Sequence, residues 1–247
     1  MTRARRLTPW NLVALATLAR LLLPVQPQSL ASEPPEARTS TAAGTVEGVV
    51  KYRPDPKRPW RFARYYVHES ALAEAVVALE PSAGVALPPP AAAKTWTIDQ
   101  LNYQFVPETL AIRAGDLVRI SNSDEALHNV MTSDGGKPFN VNVARGQDFT
   151  HTFESAGGLK DPVRLGCVFH GGMRAWIYVF DHPWFQVTPT NGRFRFDQVP
   201  PGRYTIALVH PAGKLRWHKT IEVKALEPLP VEIALSPDDE IVKPPEN

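Results

Sequence analysis

A thiol, an imidazole and a thioether fall three residues apart in one short segment, Gly-Cys167-Val-Phe-His170-Gly-Gly-Met173. A second imidazole, His128, stands upstream in Leu-His128-Asn129-Val, at the end of an alternating apolar stretch. Thiolate and thioether suit Cu(I) and imidazole suits Cu(II). Two His, one Cys and a weakly held Met are therefore the donor set of a mononuclear type 1 (blue) copper centre, whose chemistry is one-electron transfer. The spacing Cys-x-x-His-x-x-Met brings Cys167 and His170 to one metal around a tight turn and lets Met173 approach axially. Gly171 and Gly172 allow the backbone to pass close to the metal, and they leave the edge of His170 open as a path for electrons. Met131, near His128, is the rival axial ligand; Met173 is preferred because it shares the Cys-His loop.

Cys167 is the sole cysteine of the 247-residue chain. In an exported protein it has no internal disulfide partner, so it is a free thiol, an intermolecular link or a metal ligand. Its neighbours favour the last. A dinuclear electron-transfer copper site needs two cysteines, which excludes it. Multicopper oxidases and copper nitrite reductases feed further coppers through a histidine next to the ligand cysteine, whereas Cys167 is flanked by Gly166 and Val168. No nucleophile triad, paired-carboxylate motif or phosphate-binding glycine loop stands out. The expectation is an electron carrier and not an enzyme. The alternatives are a copper storage or delivery protein, or a structural β-sandwich with a vestigial site. The other histidines (His68, His151, His182, His210 and His218) are isolated and read as ordinary structural residues.

Ligands so far apart in sequence need a rigid scaffold whose loops converge, which the end of a β-sandwich provides. Before that scaffold comes a basic start with Arg3, Arg5 and Arg6, then an apolar stretch over residues 12–25 broken by Arg20, then Ser29-Leu30-Ala31. This reads as a cleavable signal peptide over 1–31 and a periplasmic or otherwise exported protein. An uncleaved anchor is the alternative, but the stretch falls short of the roughly 20 residues that span a bilayer, and no other segment is long and apolar enough. Arg5-Arg6 only weakly matches a twin-arginine signal, because Thr8 and Pro9 follow. Cleavage removes four arginines and no acid, turning the net charge from +2 to −2. Nothing in that balance calls for nucleic acid as a partner.

Residues 32–44 form a polar, proline-bearing linker read as disordered. Strand signals follow at 45–52 and 75–79, separated by a proline-rich, charged loop over 53–70. Pro88-Pro89-Pro90 marks a boundary. Between Lys94 and Asp181 alternation is nearly continuous, with turns at Pro107 and Gly115-Asp116 and helical periodicity conceivable only around 123–127. Beyond Asp181 four crisp strands are turned by Asn191-Gly192 and Pro200-Pro201-Gly202, and a frayed tail covers 237–247. Four strands in some 55 residues bury too little apolar surface to stand alone. Joining them to the two orphan strands at 45–80 makes one six-strand sandwich. The fold class expected is all-β: a Greek-key sandwich carrying the metal (92–183), inserted into a second sandwich built from 45–91 and 184–236. A tandem arrangement, with 45–80 belonging to the metal-binding module, is the alternative.

Two resemblances bear on this layout. The string Phe105-Val-Pro107, Ile112-Arg-Ala-Gly115-Asp116-Leu-Val118, Asn122-Ser-Asp124, His128-Asn129-Val130 and Cys167-Val-Phe-His170-Gly-Gly-Met173 resembles the plastocyanin- and azurin-type cupredoxins, with the short ligand loop of amicyanin. That resemblance implies His128, Cys167, His170 and Met173 as copper ligands. It also implies that Asn129 ties the two ligand loops together and hydrogen-bonds near the thiolate. Gly171-Gly172 replaces a proline-bearing loop common there. The other strings, Gly44-Thr-Val46-Glu-Gly48, Ala75-Val-Val77-Ala-Leu79 and Asn191-Gly192-Arg-Phe194, resemble the transthyretin-like regulatory sandwich of carboxypeptidases. The implied partner is an exported redox protein, a cytochrome or an oxidoreductase, acting as donor or acceptor.

Overall fold

Most of the period-two alternation in the sequence is realised as strands. The computed structural model describes residues 42–133 and 137–237. The expected signal peptide, all but the last three residues of the linker, and the tail after residue 237 lie outside the described residues. Within the described residues there are eighteen strands, a single 3-10 turn at Ala63–Tyr65 and no α-helix.

The first four strands are β1 (Gly44–Tyr52), β2 (Val67–His68), β3 (Ala71–Leu72) and β4 (Val76–Pro81). Nine follow: β5 (Thr95–Leu101), β6 (Gln104–Val106), β7 (Thr109–Arg113), β8 (Leu117–Asn122), β9 (His128–Thr132), β10 (Phe139–Val143), β11 (Asp148–Thr152), β12 (Val163–Gly166) and β13 (Arg174–Phe180). The last are β14 (Phe185–Val187), β15 (Arg193–Val199), β16 (Gly202–His210), β17 (Leu215–Val223) and β18 (Pro228–Leu235).

Pairing sorts them into four sheets. One has β1 at its centre, antiparallel to β15 and parallel to β18, with β3 and β2 beyond. A second runs β14-β4-β16-β17. Both join the chain's first four strands to its last five. The nine strands between pair only among themselves, as β11-β8-β5-β6 and β10-β9-β12-β13-β7. Each pair of sheets encloses its own core. Val46, Val50, Val77, Leu79, Phe194, Tyr204, Ile206 and Ile233 belong to one; Ile98, Phe105, Ile112, Val118, Ile120, Val130 and Ile177 belong to the other.

A third cluster joins the two sandwiches. Val76 and Ala78 of β4 and Val209 of β16 meet Ala111 of β7 and Tyr178 and Phe180 of β13. This explains why the run Ala75-Val-Val-Ala-Leu79 does not alternate: it is fully buried on both faces, as strands covered on two sides are.

Several details differ from the sequence reading. The sandwich of outer strands has nine strands instead of six, because β2, β3 and β14 are too short to give a periodic signal. The expected loop over 53–70 contains the 3-10 turn and β2. Gly44, assigned to the linker, is the first residue of β1. Residues 123–127 contain a bend over 124–126 and no helix, held by Asn122 as described below.

Candidate metal centre

Three adjacent strands of one sheet end together. β9 begins at His128, β12 ends at Gly166, and β13 begins at Arg174, with Gly166 paired to Met131 across β12 and β9. Antiparallel order puts those three ends on one rim. Alternation along β9 then sets orientation: His128 and Val130 share one face, and Asn129 and Met131 share the other. Met131 therefore turns away from the face of His128, opposite Asn140 on β10.

The seven residues from Cys167 to Met173 close the gap between β12 and β13. The Met173 amide donates to the His170 carbonyl at 2.9 Å, making the tight turn that the spacing called for. Cys167 and Met173 are buried members of one hydrophobic cluster, and His170 is half-buried. Gly171 and Gly172 are exposed, and a Cβ added to either meets no atom within 4 Å. Neither has a backbone angle that demands glycine.

One ligand atom each from His128, Cys167 and His170 lies within 4.8 Å of the others. His128 Nδ1 is 3.1 Å from His170 Nδ1, and Cys167 Sγ is 3.7 Å from His170 Nδ1. A cation about 2.0 Å from imidazole nitrogen and about 2.3 Å from thiolate sulfur sets its donors roughly 3–4 Å apart. The observed separations fit that span. His128 is fully buried and Cys167 nearly so, and burying convergent lone pairs costs free energy unless something positive lies between them. The residues present therefore suit a soft or borderline metal ion.

The surrounding hydrogen bonds point the same way. The Asn129 amide donates to Cys167 Sγ at 3.4 Å, and Asn129 Oδ1 accepts from the Val168 amide at 3.5 Å. Asn129 Nδ2 donates to Asn140 Oδ1, Val141 O and Asn142 Oδ1 on β10. One side chain thus spans β10, β9 and the Cys167 loop.

Two neighbours were not singled out from the sequence. Asp124 places Oδ2 at 2.7 Å from His128 Nε2. Burial alone would raise the Asp124 carboxyl pKa. The Tyr103 amide, His128 and the Asn102 amide outweigh burial and hold the carboxyl below its ordinary range. The Tyr103 ring makes T-shaped contacts with both imidazoles, 5.4 Å from His128 and 4.9 Å from His170 between centroids. The available signal was the Asn-x-Asp spacing of Asn122 and Asp124, which favours an Asx turn. Asn122 Oδ1 accepts the Asp124 amide at 2.9 Å, and Asn122 Nδ2 donates to Ala126 O and Val143 O.

The remaining histidines do not cluster with these residues. His210 and His182 are buried. His210 donates through Nε2 to Ala73 O and accepts the Gly213 amide at Nδ1. His182 Nδ1 accepts the Trp184 amide. His151 packs among Phe139, Phe149 and Phe153. Among the described residues, no helix is long and apolar enough to cross a membrane.

No family model and no curated protein matches the chain. Among solved structures it is similar to a purple cupredoxin from Nitrosopumilus maritimus, at 26% identity over 34% of this chain and 99% of that one, with a TM-score of 0.30. A reduced amicyanin variant shares 22% identity over 43% of this chain and 99% of its own, with a TM-score of 0.32. A copper-containing nitrite reductase from Thermus scotoductus shares 22% identity over 41% of this chain and 25% of its own, with a TM-score of 0.32. Each of these likenesses spans less than half of this chain.

Proposed function

We propose that this chain is an exported mononuclear type 1 copper protein that passes single electrons between redox partners. The observation that carries the reading is the convergence of His128 Nδ1, His170 Nδ1 and the buried Cys167 Sγ on one point. With Met173, buried in the same hydrophobic cluster as Cys167, these residues are the donor set that holds copper in both oxidation states. Copper bound there supplies a one-electron Cu(II)/Cu(I) couple.

The chain's own residues do the rest. The Asn129 amide stabilises negative charge on Cys167, and its side chain keeps the thiol loop against β9. His170, half-buried beside the open Gly171 and Gly172, is where electrons pass to and from a partner. Leu127, Val168 and Phe169, neighbours in sequence of the site residues, are each about half exposed. They offer that partner, an exported cytochrome or oxidoreductase, an apolar seat. The metal-binding module comprises residues 92–183. The flanks 45–91 and 184–236 make a transthyretin-like host that serves as scaffold or docking surface, and residues 1–31 are removed on export.

The test is optical. Adding Cu(II) to the mature protein gives an intense thiolate-to-copper band in the visible region, and Cys167→Ala lacks it. A colourless Cu(II) complex of the wild-type chain overturns the electron-transfer reading.

A further inference from the structure

The hairpin joining β5 to β6 turns through Asn102 and Tyr103, whose φ angles are 53° and 60°. Two successive left-handed residues make the tight hairpin turn that matches strand twist. Asparagine tolerates that region, whereas an aromatic side chain is uncommon there. A turn of this kind persists only when its surroundings hold it. Asp124 supplies the hold: Oδ1 accepts the Asn102 amide at 2.7 Å and Oδ2 accepts the Tyr103 amide at 2.9 Å.

The same Oδ2 meets His128 Nε2 at 2.7 Å. A carboxylate offers only lone pairs, so the proton of this contact sits on Nε2. That leaves Nδ1 as the lone-pair nitrogen, the atom 3.1 Å from His170 Nδ1. Asp124 is itself held by Asn122 through its amide. One carboxylate therefore fixes two things together, the tautomer of a ligand imidazole and the turn that places Tyr103. The Tyr103 ring stands nearly perpendicular to both imidazoles, at 88° to His128 and 85° to His170, with its outer side exposed. His128, in contact with it, has no exposed surface.

We propose that Asp124 and Tyr103 act as one unit that keeps small molecules off the metal centre: Asp124 is the positioning residue, and the Tyr103 ring is the cap. Resting on the copper reading above, the unit fixes the kind of reaction available. Chemistry on a bound substrate needs a coordination position reachable from solvent, and the shell around a metal site controls that access. With the cap held down, the site exchanges electrons with partners and admits no exogenous ligand.

The test uses the mature, full chain loaded with Cu(II) and titrated with azide, followed by visible and EPR spectra. Wild type gives no azide-dependent change. Tyr103→Ala gives a saturable azide-dependent spectral shift that wild type lacks. Tyr103→Phe stays closed, because the ring and not the hydroxyl makes the cap. Asp124→Ala opens like Tyr103→Ala. Azide binding to Tyr103→Ala that is no tighter than to wild type overturns the cap, as does Tyr103→Phe opening as fully as Tyr103→Ala. A second readout needs no metal. Nitrogen-15 NMR of the metal-free chain shows His128 as the Nε2–H tautomer, and this preference is lost in Asp124→Ala; its retention there overturns the positioning role. Failure of wild type to develop the thiolate band refutes the copper reading instead, and the NMR result still decides the positioning role.

Discussion

Electron transfer through a protein surface depends on how closely a partner can approach the conducting group, and under the proposed function that group is the half-buried His170. Gly171 beside it has open space where a side chain would grow, so Gly171→Phe adds bulk without displacing the ligands. We expect this variant to keep its visible spectrum and its rate of reduction by ascorbate. Exchange with a protein partner should slow by roughly tenfold, the cost of about 1.4 kcal/mol in the barrier. Stopped-flow measurement with both reductants separates the two; an unchanged partner rate removes His170 as the path. The candidate site residues His128, Cys167 and His170 were legible because their chemistry is unusual: a lone thiol with an imidazole three residues on. Asp124 and Tyr103 were not, because an aspartate and a tyrosine in turns carry no chemical signature. Their roles come from a carboxylate reaching across 22 residues to Asn102, which spacing does not reveal.

Strands present a different constraint, because a central strand has neighbours on both sides. β1 is paired to β15 and β18 along most of its length, and Gly48 faces Phe194 on one and Val231 on the other. A Cβ at Gly48 would come within 1.8 Å of the Val231 carbonyl oxygen and 2.7 Å of the Phe194 ring. Backbone cannot yield as a flexible side chain can. Gly48→Ala should therefore destabilise the fold by roughly 1–3 kcal/mol, read as a lower urea midpoint, while leaving the copper band unaltered. An unchanged midpoint shows that the strands separate without cost. Alternation in the sequence identified the long strands, including β1, β16 and β18, because half of each faces a core. It missed β2, β3 and β14, whose two or three residues are too few to show a period. β4 was legible from its short β-branched run instead, since a strand buried on both faces has no polar side to display.

Stability of the whole chain is tied to pH through a residue remote from the proposed metal centre. His210 is buried beside the rings of Trp60 and Tyr66, and burial is the main reason its pKa falls from 6.5 to about 4. The unfolded chain protonates this imidazole at ordinary acidity, whereas the folded chain resists. Its contribution is therefore complete above pH 6.5 and is lost as pH falls from there toward 4, amounting to at most about 3 kcal/mol. Urea unfolding of metal-free wild type should weaken more steeply than that of His210→Gln between pH 7.5 and 5; parallel pH profiles would show that His210 is protonated as easily when folded. The sequence alone determined the strand-rich architecture and offered the candidate donors, because alternation and rare donor residues are local properties that a linear string displays. Only the tertiary structure decided which strands pair across the central nine and that β4 and β13 face one another through Val76, Ala78, Tyr178 and Phe180. It also decided that Asp124 contacts His128 and that Tyr103 contacts both imidazoles. Those outcomes depend on contacts between residues far apart in the chain, where periodicity has no reach and only packing and hydrogen-bond satisfaction choose the partner.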